Sequence, residues 1–129
     1  MTEDVTFAGA RPYAEVPQWM SASDWVLLAS HREGWPTVYF EAMACGRPVL
    51  TANVAVAKTV IDREDLGLVL EDNSPSAWTA ALESARARKW NEQLIRQAAL
   101  GHSWKQWAIH YLALVRDVLG RNQTIGAAA

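Results

Sequence analysis

The sequence predicts an α/β fold: a partial Rossmann-like, mainly parallel sheet of about four strands, followed by C-terminal helices. Short apolar runs alternate with helix-like patterns in the first part of the chain, which favours βαβ units and parallel strands. Strand-like runs then stop, and the rest of the chain has helical periodicity. Its 129 residues are enough for one domain with a hydrophobic core.

Four segments are predicted to be strands. Residues 4–9 form a short β-branched and aromatic run closed by glycine. Residues 24–30 form a continuous apolar run between polar residues, which is typical of a strand buried on both faces. The runs at residues 48–52 and 67–71 complete the set.

The helical segments carry start and stop signals. Residues 13–23 have helix-like apolar spacing, although Pro17 indicates a late or broken start. In residues 36–46, Pro36 lies near the first turn and Gly46 just past the end. A short helix is predicted at residues 57–62, and a long helical run begins at Pro75, after a cap at Asn73 or Ser74.

The last predicted helix covers residues 103–120 and has one apolar stripe. The stripe consists of Trp104, Trp107, Ala108, Tyr111, Leu112, Val115 and Leu119. We assign residues 1–120 to the domain and predict a disordered tail at residues 121–129.

Composition excludes several classes of protein. The net charge of −2 leaves no excess of basic residues for binding nucleic acid, so we expect no nucleic-acid partner. The single cysteine, Cys45, excludes an internal disulfide and a multi-cysteine metal site. No apolar run reaches the roughly 18–20 residues of a membrane span, and no signal peptide is recognisable, so we expect a cytoplasmic protein. The seven tryptophans are spread along the chain, which favours packing roles over one stacking platform.

Two carboxylates, Glu33 and Glu41, flank the predicted start of the helix at residues 36–46. Glu33 follows a strand at its carboxyl end, which is where open α/β sheets bind ligands. Backbone amides at a helix start lack partners and attract anions. Carboxylates accept hydrogen bonds from hydroxyl groups. The arrangement suits a ligand with a phosphate centre and polyols on both sides, such as a nucleotide-sugar.

The stretch "ASDWVLLASHREGWPTVYFEAMACGRPVLTA" resembles the core motif of a known family. This family is the retaining, nucleotide-sugar-dependent glycosyltransferases of the GT-B fold, called glycosyl transferases group one, and the stretch resembles part of their C-terminal, donor-binding domain. The resemblance extends more loosely to residues 4–120. The matching residues are Ser30, Glu33, Gly34, Trp35, Pro36, Glu41, Ala42, Met43, Ala44, Gly46, Pro48 and Val49.

The resemblance implies roles for individual residues. Glu33 would be the catalytic-site residue that holds donor-sugar hydroxyls and helps to organise the departing diphosphate, whereas Glu41 would bind the ribose. The resemblance implies transfer of a hexose with retention at the anomeric carbon, from a UDP- or GDP-sugar, without a metal or cofactor. The implied donor-binding residues are Gly9, Arg11, His31, Gly34, Trp35, Pro36, Thr37, Val38 and Glu41, of which the loop around Gly9 to Arg11 would lie near the nucleotide base.

The chain also departs from the family pattern. A full enzyme of this family has two Rossmann-like domains, so we expect this chain to lack the acceptor domain and the first donor-domain strands, and to be inactive in transfer by itself. Arg32 and Lys58 are candidates for the basic residues that clamp the diphosphate. In the family, a Gly-Gly turn and then Pro-Glu follow the strand that corresponds to residues 48–52. This chain has other residues there, and the loss of the glycines restricts the backbone conformations available where the chain would approach a ligand. The replacing residues are Ala55, Val56, Lys58 and Thr59.

The missing strands would expose an apolar edge at residues 25–30. We therefore expect residues 5–9 to pair with that edge, or the chain to form a homodimer. A separate chain that supplies the acceptor domain is a further expected partner.

Two other functions remain open from the sequence. One is a non-catalytic module that binds a nucleotide-sugar or nucleoside diphosphate, and the other is an unrelated α/β interaction domain. A cluster of basic residues is predicted to lie on a solvated helix face; its members are Arg86, Arg88 and Lys89. The alternative is that this cluster makes peripheral contact with anionic lipid at the inner membrane face.

Overall fold

A computed structural model describes residues 4–54 and 56–126 of the chain. Its centre is an open parallel sheet of three strands in the order β1-β2-β3. The strands are β1 (Val26–Leu28), β2 (Val49–Ala52) and β3 (Gly67–Leu70). The helices are α1 (Val16–Ala22), which follows a 3₁₀ turn at Tyr13–Glu15, and then α2 (Thr37–Ala44), α3 (Ala57–Val60), α4 (Pro75–Ala87), α5 (Glu92–Leu100) and α6 (Trp104–Gly126).

The core lies around the central strand β2, whose residues are all buried. Tyr39 and Met43 from α2 and Ile95 from α5 are almost completely buried beside it. Helix α2 packs on α5, and α4 packs on β3. The predicted α/β class is confirmed, and α2 packs against both the sheet and α5.

Local signals explain the helix ends. The Ser74 hydroxyl accepts a hydrogen bond from the amide of Ala77 and caps α4, as predicted. Gly46 follows α2 with a φ of 76°, a left-handed conformation that favours glycine. The Asn91 side chain accepts from the amide of Leu94 and starts a separate helix, α5. The predicted continuous helical run after Pro75 is therefore wrong, because the chain breaks between Arg88 and Asn91.

The sheet also differs from the prediction. Residues 4–9 do not form a strand, and Phe7 is 77% exposed, so the sheet has three strands rather than about four. These residues do not pair with β1, which leaves β1 at an edge of the sheet. Leu27 is consequently 45% exposed, and the prediction of a strand buried on both faces is wrong. Strand β1 has no partner on that side among the described residues.

The apolar stripe of α6 has the predicted helical spacing, but Trp104, Trp107, Tyr111, Leu112 and Leu119 are all more than half exposed. The helix continues to Gly126, where a disordered tail was predicted from residue 121. Residues 127–129 and Ala55 lie outside the described part of the chain. None of the helices that the structure describes has the length and apolarity to cross a membrane.

Candidate functional site

The loop that leaves β1 contains the first predicted carboxylate. The Ser30 hydroxyl donates a hydrogen bond of 2.6 Å to Oε1 of Glu33, and both residues are partly buried. This bond holds the Glu33 side chain against its own loop at the carboxyl end of the sheet. The second oxygen of the carboxylate stays available to accept hydrogen bonds from a ligand.

Helix α2 begins directly after this loop with unpaired amides. Pro36 is the N-cap residue, is buried, and has an extended conformation. No side chain among the described residues caps the helix, so the first-turn amides at Thr37 and Val38 lack a capping acceptor. Gly34, Trp35 and Thr37 are exposed, so the start of the helix faces solvent. An anion is favoured here because the amides and the helix dipole attract negative charge.

The second carboxylate, Glu41, lies one helical turn after Thr37 on α2 and is partly buried. Residues four apart share a helix face, and their side chains tilt towards the helix N-terminus. Glu41 therefore lies on the face of α2 that also carries Thr37. Glu33 precedes the uncapped helix start, and Glu41 follows it one turn into the helix.

The floor of the site is a pair of buried hydroxyl groups that sequence analysis did not identify. The hydroxyls of Tyr39 and Thr51 lie 2.6 Å apart, and the Thr51 hydroxyl is 3.2 Å from the carbonyl oxygen of Leu28. The pKa of Tyr39 is raised, chiefly because the residue is buried. The hydrogen bond to Thr51 lowers this pKa, and the negative charge of Glu33 raises it.

The loop after β3 contributes Asn73, which the sequence suggested only as a helix cap. Its side-chain amide donates to the carbonyl oxygen of Ala29 at 3.2 Å and lies 3.5 Å from Nδ1 of His31. Its oxygen accepts a hydrogen bond of 2.7 Å from the Trp78 indole. The polar run "EDNS" directly after a strand was the signal in the sequence.

The ends of β2 and β3 carry a second polar group. Lys58 forms an ion pair with Glu71, which also accepts a hydrogen bond of 2.9 Å from the Asn53 side chain. The hydrogen bond from Lys58 is the main reason that the pKa of Glu71 is lowered. Lys58 thus already has an anionic partner, whereas the other candidate for a phosphate clamp, Arg32, is exposed in the Glu33 loop.

Two predicted donor-binding residues, Gly9 and Arg11, come before α1 in the chain. Gly9 has a φ of 69° and is exposed, and the Arg11 guanidinium lies over the ring of Trp19 in α1 at 5.3 Å. No described hydrogen bond or ion pair links Gly9 or Arg11 to the Glu33 loop.

The aromatic residue of the motif, Trp35, stacks on Phe40 with ring centroids 5.8 Å apart. Phe40 in turn contacts the ring of His102 at 4.6 Å. This row of rings ties the exposed loop to the end of α5.

A cavity of about 470 Å³ lies at the opposite, amino-terminal end of the strands. Trp25, Arg47, Pro48 and Trp90 are among its lining residues, and none of the predicted site residues lines it. The candidate site is therefore separate from this cavity. No cluster of acidic, histidine or cysteine side chains suited to a metal ion occurs in residues 4–54 and 56–126.

The chain matches a known protein family. The model of the family "Glycosyl transferases group 1" matches residues 1–100. The chain is 29% identical over 118 residues to the D-inositol 3-phosphate glycosyltransferase of Jonesia denitrificans, a match that covers 88% of this chain and 28% of that protein. It is also 29% identical over 123 residues to the enzyme of the same name from Segniliparus rotundus, covering 92% of this chain and 27% of the relative.

A solved structure has the same fold. Sucrose-phosphate synthase from Thermosynechococcus elongatus superposes with a TM-score of 0.78 at 24% identity, over 90% of this chain and 30% of that structure. The chain thus spans less than a third of the length of the proteins that it matches.

Proposed function

This chain belongs to the glycosyl transferases group 1 family, and from that membership we propose that it binds a nucleotide-sugar donor as the donor half of a retaining glycosyltransferase. One observation carries the proposal: the uncapped, solvent-facing start of α2 lies directly after the Glu33 loop. A diphosphate is the part of the donor that this helix start would bind, because its oxygens accept from the free amides.

The two carboxylates would bind the polyols on either side of that diphosphate. Glu33 has one oxygen occupied by Ser30, so its free oxygen accepts from a hydroxyl of the donor sugar. Glu41, on the face of α2 that carries Thr37, accepts from the ribose hydroxyls. Hydrogen bonds between a charged carboxylate and a hydroxyl contribute about 1.5–3 kcal/mol each.

In transfer, the amides at the start of α2 would stabilise the negative charge that develops on the departing diphosphate. Glu33 and Glu41 serve the donor in this scheme, so the acid/base pairing of glycoside hydrolases does not apply to them. The acceptor site would come from a second domain or chain, because the family members matched are more than three times as long. A homodimer through the exposed edge of β1 is the other assembly that we propose.

Calorimetric titration of the chain with UDP, GDP and their sugars tests the proposal. We expect a nucleoside diphosphate to bind, and Glu33→Gln and Glu41→Gln each to weaken binding of the nucleotide-sugar. Glu83→Gln is the matched control, because Glu83 is an exposed residue of α4 remote from the loop. Absence of binding by all the nucleotides, or an equal effect of Glu83→Gln, would contradict the proposal.

A binding module without transfer activity is the second candidate. The pairing of Lys58 with Glu71 favours it, since that cation is already neutralised rather than free for a leaving diphosphate. Nucleotide binding without sugar transfer after addition of a partner acceptor domain would support this second function. Transfer by the reconstituted pair would exclude it.

A further inference from the structure

Asn73 joins two strands that are not neighbours in the sheet. It lies three residues after the end of β3, and Ala29 follows β1 directly, whereas β2 lies between the two strands. The hydrogen bond from the Asn73 side chain to the Ala29 carbonyl oxygen, at 3.2 Å, therefore spans the carboxyl end of β2. This bond ties the start of the Glu33 loop to the loop after β3.

The orientation of the Asn73 amide is fixed by Trp78. An indole N–H only donates, so the atom 2.7 Å from it must be the amide oxygen. The amide nitrogen consequently faces Ala29 and His31. Asn73 and Trp78 are both partly buried, and so is the hydrogen bond between them.

This orientation also favours one tautomer of His31. The Asn73 nitrogen only donates and lies 3.5 Å from Nδ1 of His31, so a hydrogen bond between them requires Nδ1 to be the acceptor. A neutral imidazole that accepts at Nδ1 carries its proton at Nε2. His31 then has an N–H donor at the ring atom that points away from Asn73.

We propose that Asn73, oriented by Trp78, is a positioning residue of the Glu33 loop: it anchors the backbone at Ala29 and keeps the His31 proton on Nε2. The Nε2–H group would donate to an oxygen of a bound phosphate or sugar, a part of the inference that rests on the proposed function. The anchored segment, residues 29–33, comes before the uncapped helix start. In this proposal, Asn73 itself does not contact the ligand.

The first test does not depend on a ligand. In the ¹⁵N spectrum of neutral His31, we expect Nδ1 to be unprotonated and Nε2 to be protonated. Asn73→Asp replaces the donor with carboxylate oxygens that only accept, so it should move the proton to Nδ1. Identical imidazole signals in the wild type and Asn73→Asp would overturn the assignment.

The second test measures affinity for UDP and GDP. Asn73→Ala and Trp78→Phe should each weaken binding about tenfold, which corresponds to losing roughly one neutral hydrogen bond and its positioning effect. Trp90→Phe is the matched control: its indole donates to the Ala85 carbonyl oxygen at 3.1 Å, and Trp90 lines the cavity at the opposite end of the sheet. Equal losses for Trp78→Phe and Trp90→Phe would overturn the proposal.

The two tests separate this inference from the function that it builds on. Failure of the wild-type chain to bind either nucleotide would defeat the proposed function, while the imidazole signals would still decide the role of Asn73. Should Asn73→Ala fold poorly, Trp78→Phe keeps most of the apolar packing and carries the affinity test. Thermal unfolding of each variant confirms that the compared proteins are folded.

Discussion

The hydroxyl of Tyr39 lies 2.6 Å from the hydroxyl of Thr51, and this contact joins α2 to β2 beneath the Glu33 loop. Thr51 also reaches the Leu28 carbonyl oxygen at 3.2 Å, so the pair links α2, β2 and β1. Since a hydroxyl has one proton, Tyr39 donates to Thr51 when Thr51 donates to Leu28. The pair therefore fixes the start of α2 relative to the strand that precedes the loop.

We expect Tyr39→Phe to lower the free energy of unfolding by about 1 kcal/mol, the usual contribution of one buried neutral hydrogen bond. The ring stays in place, so little of the loss comes from packing. Urea denaturation of the two proteins measures the difference. Tyr13→Phe is the control, because Tyr13 is 79% exposed and its hydroxyl should contribute little. Equal stability of the wild type and Tyr39→Phe would show that the bond is weak.

The stability difference between the wild type and Tyr39→Phe should depend on alkaline pH. The pKa of Tyr39 lies above the ordinary value of 10.0, chiefly because the residue is buried. The Tyr39 hydroxyl thus stabilises the protein fully below the pKa that Tyr39 has in the unfolded chain. This stabilisation is lost as the pH rises through the higher pKa that Tyr39 has in the folded protein. Denaturation at increasing pH should show the advantage of the wild type shrinking. A pH-independent difference would contradict the raised pKa.

Gly67, the first residue of β3, leaves no room for a side chain. A Cβ there would overlap the carbonyl oxygen of Val49 in the paired strand, so Gly67→Ala forces β2 and β3 apart. We expect a loss of roughly 1–3 kcal/mol in the free energy of unfolding, the usual cost of overpacking. Gly101→Ala is the control, since the nearest atom to its Cβ would be the Ala98 carbonyl oxygen at 4.0 Å. A thermal shift no larger than that of Gly101→Ala would contradict the prediction.

Gly34 permits a test of ligand binding apart from folding. A Cβ at this position would meet no atom within 4 Å, so Gly34→Ala should leave the unfolding temperature nearly unchanged. If a diphosphate approaches the backbone between Glu33 and Thr37, the added methyl group should still weaken nucleotide binding. Calorimetry and thermal unfolding of the same samples separate the two effects. Unchanged affinity would place the diphosphate away from Gly34.

Much of this fold was predictable because its signals are local. Pro36 and Gly46 bracket α2 by their own backbone preferences, and the Glu33 and Glu41 motif identified the family from consecutive residues. The run at residues 4–9 has strand-like composition, but a strand also needs a partner, which its sequence does not specify. The floor of the site was not predicted for the same reason, since Tyr39 meets Thr51 only after α2 has packed on the sheet.

Periodicity has a similar limit in α6. The apolar stripe predicted the helix correctly, but spacing along one helix does not say what covers it. The bond from Asn73 to Ala29 likewise joins residues 44 positions apart. Contacts of that kind follow from the order of the strands, which the alternation of strands and helices leaves undetermined.

The ion pair of Lys58 with Glu71 gives a prediction for acidic pH, below the ordinary carboxyl pKa of 4.5. Hydrogen bonding from Lys58 and then the attraction of its charge lower the pKa of Glu71, with a smaller effect from Asn53. The pair therefore stabilises the protein above the pKa that Glu71 has in the unfolded chain. This stabilisation is lost as the pH falls through the lower pKa that Glu71 has in the folded protein. Because Glu71 is fully exposed, salt should screen the effect strongly.

Titration of the Glu71 carboxyl carbon by NMR measures this directly. Lys58→Met should return the pKa of Glu71 towards its usual range, whereas Asn53→Ala should raise it less, in line with the smaller contribution of Asn53. Lys105→Met in α6 is the control and should leave the titration unchanged. If a nucleotide diphosphate recruits Lys58, its addition to the wild type should also raise the pKa of Glu71, because the lysine then leaves the carboxylate. An unchanged titration on saturation with nucleotide would show that Lys58 stays with Glu71 and takes no part in binding the donor.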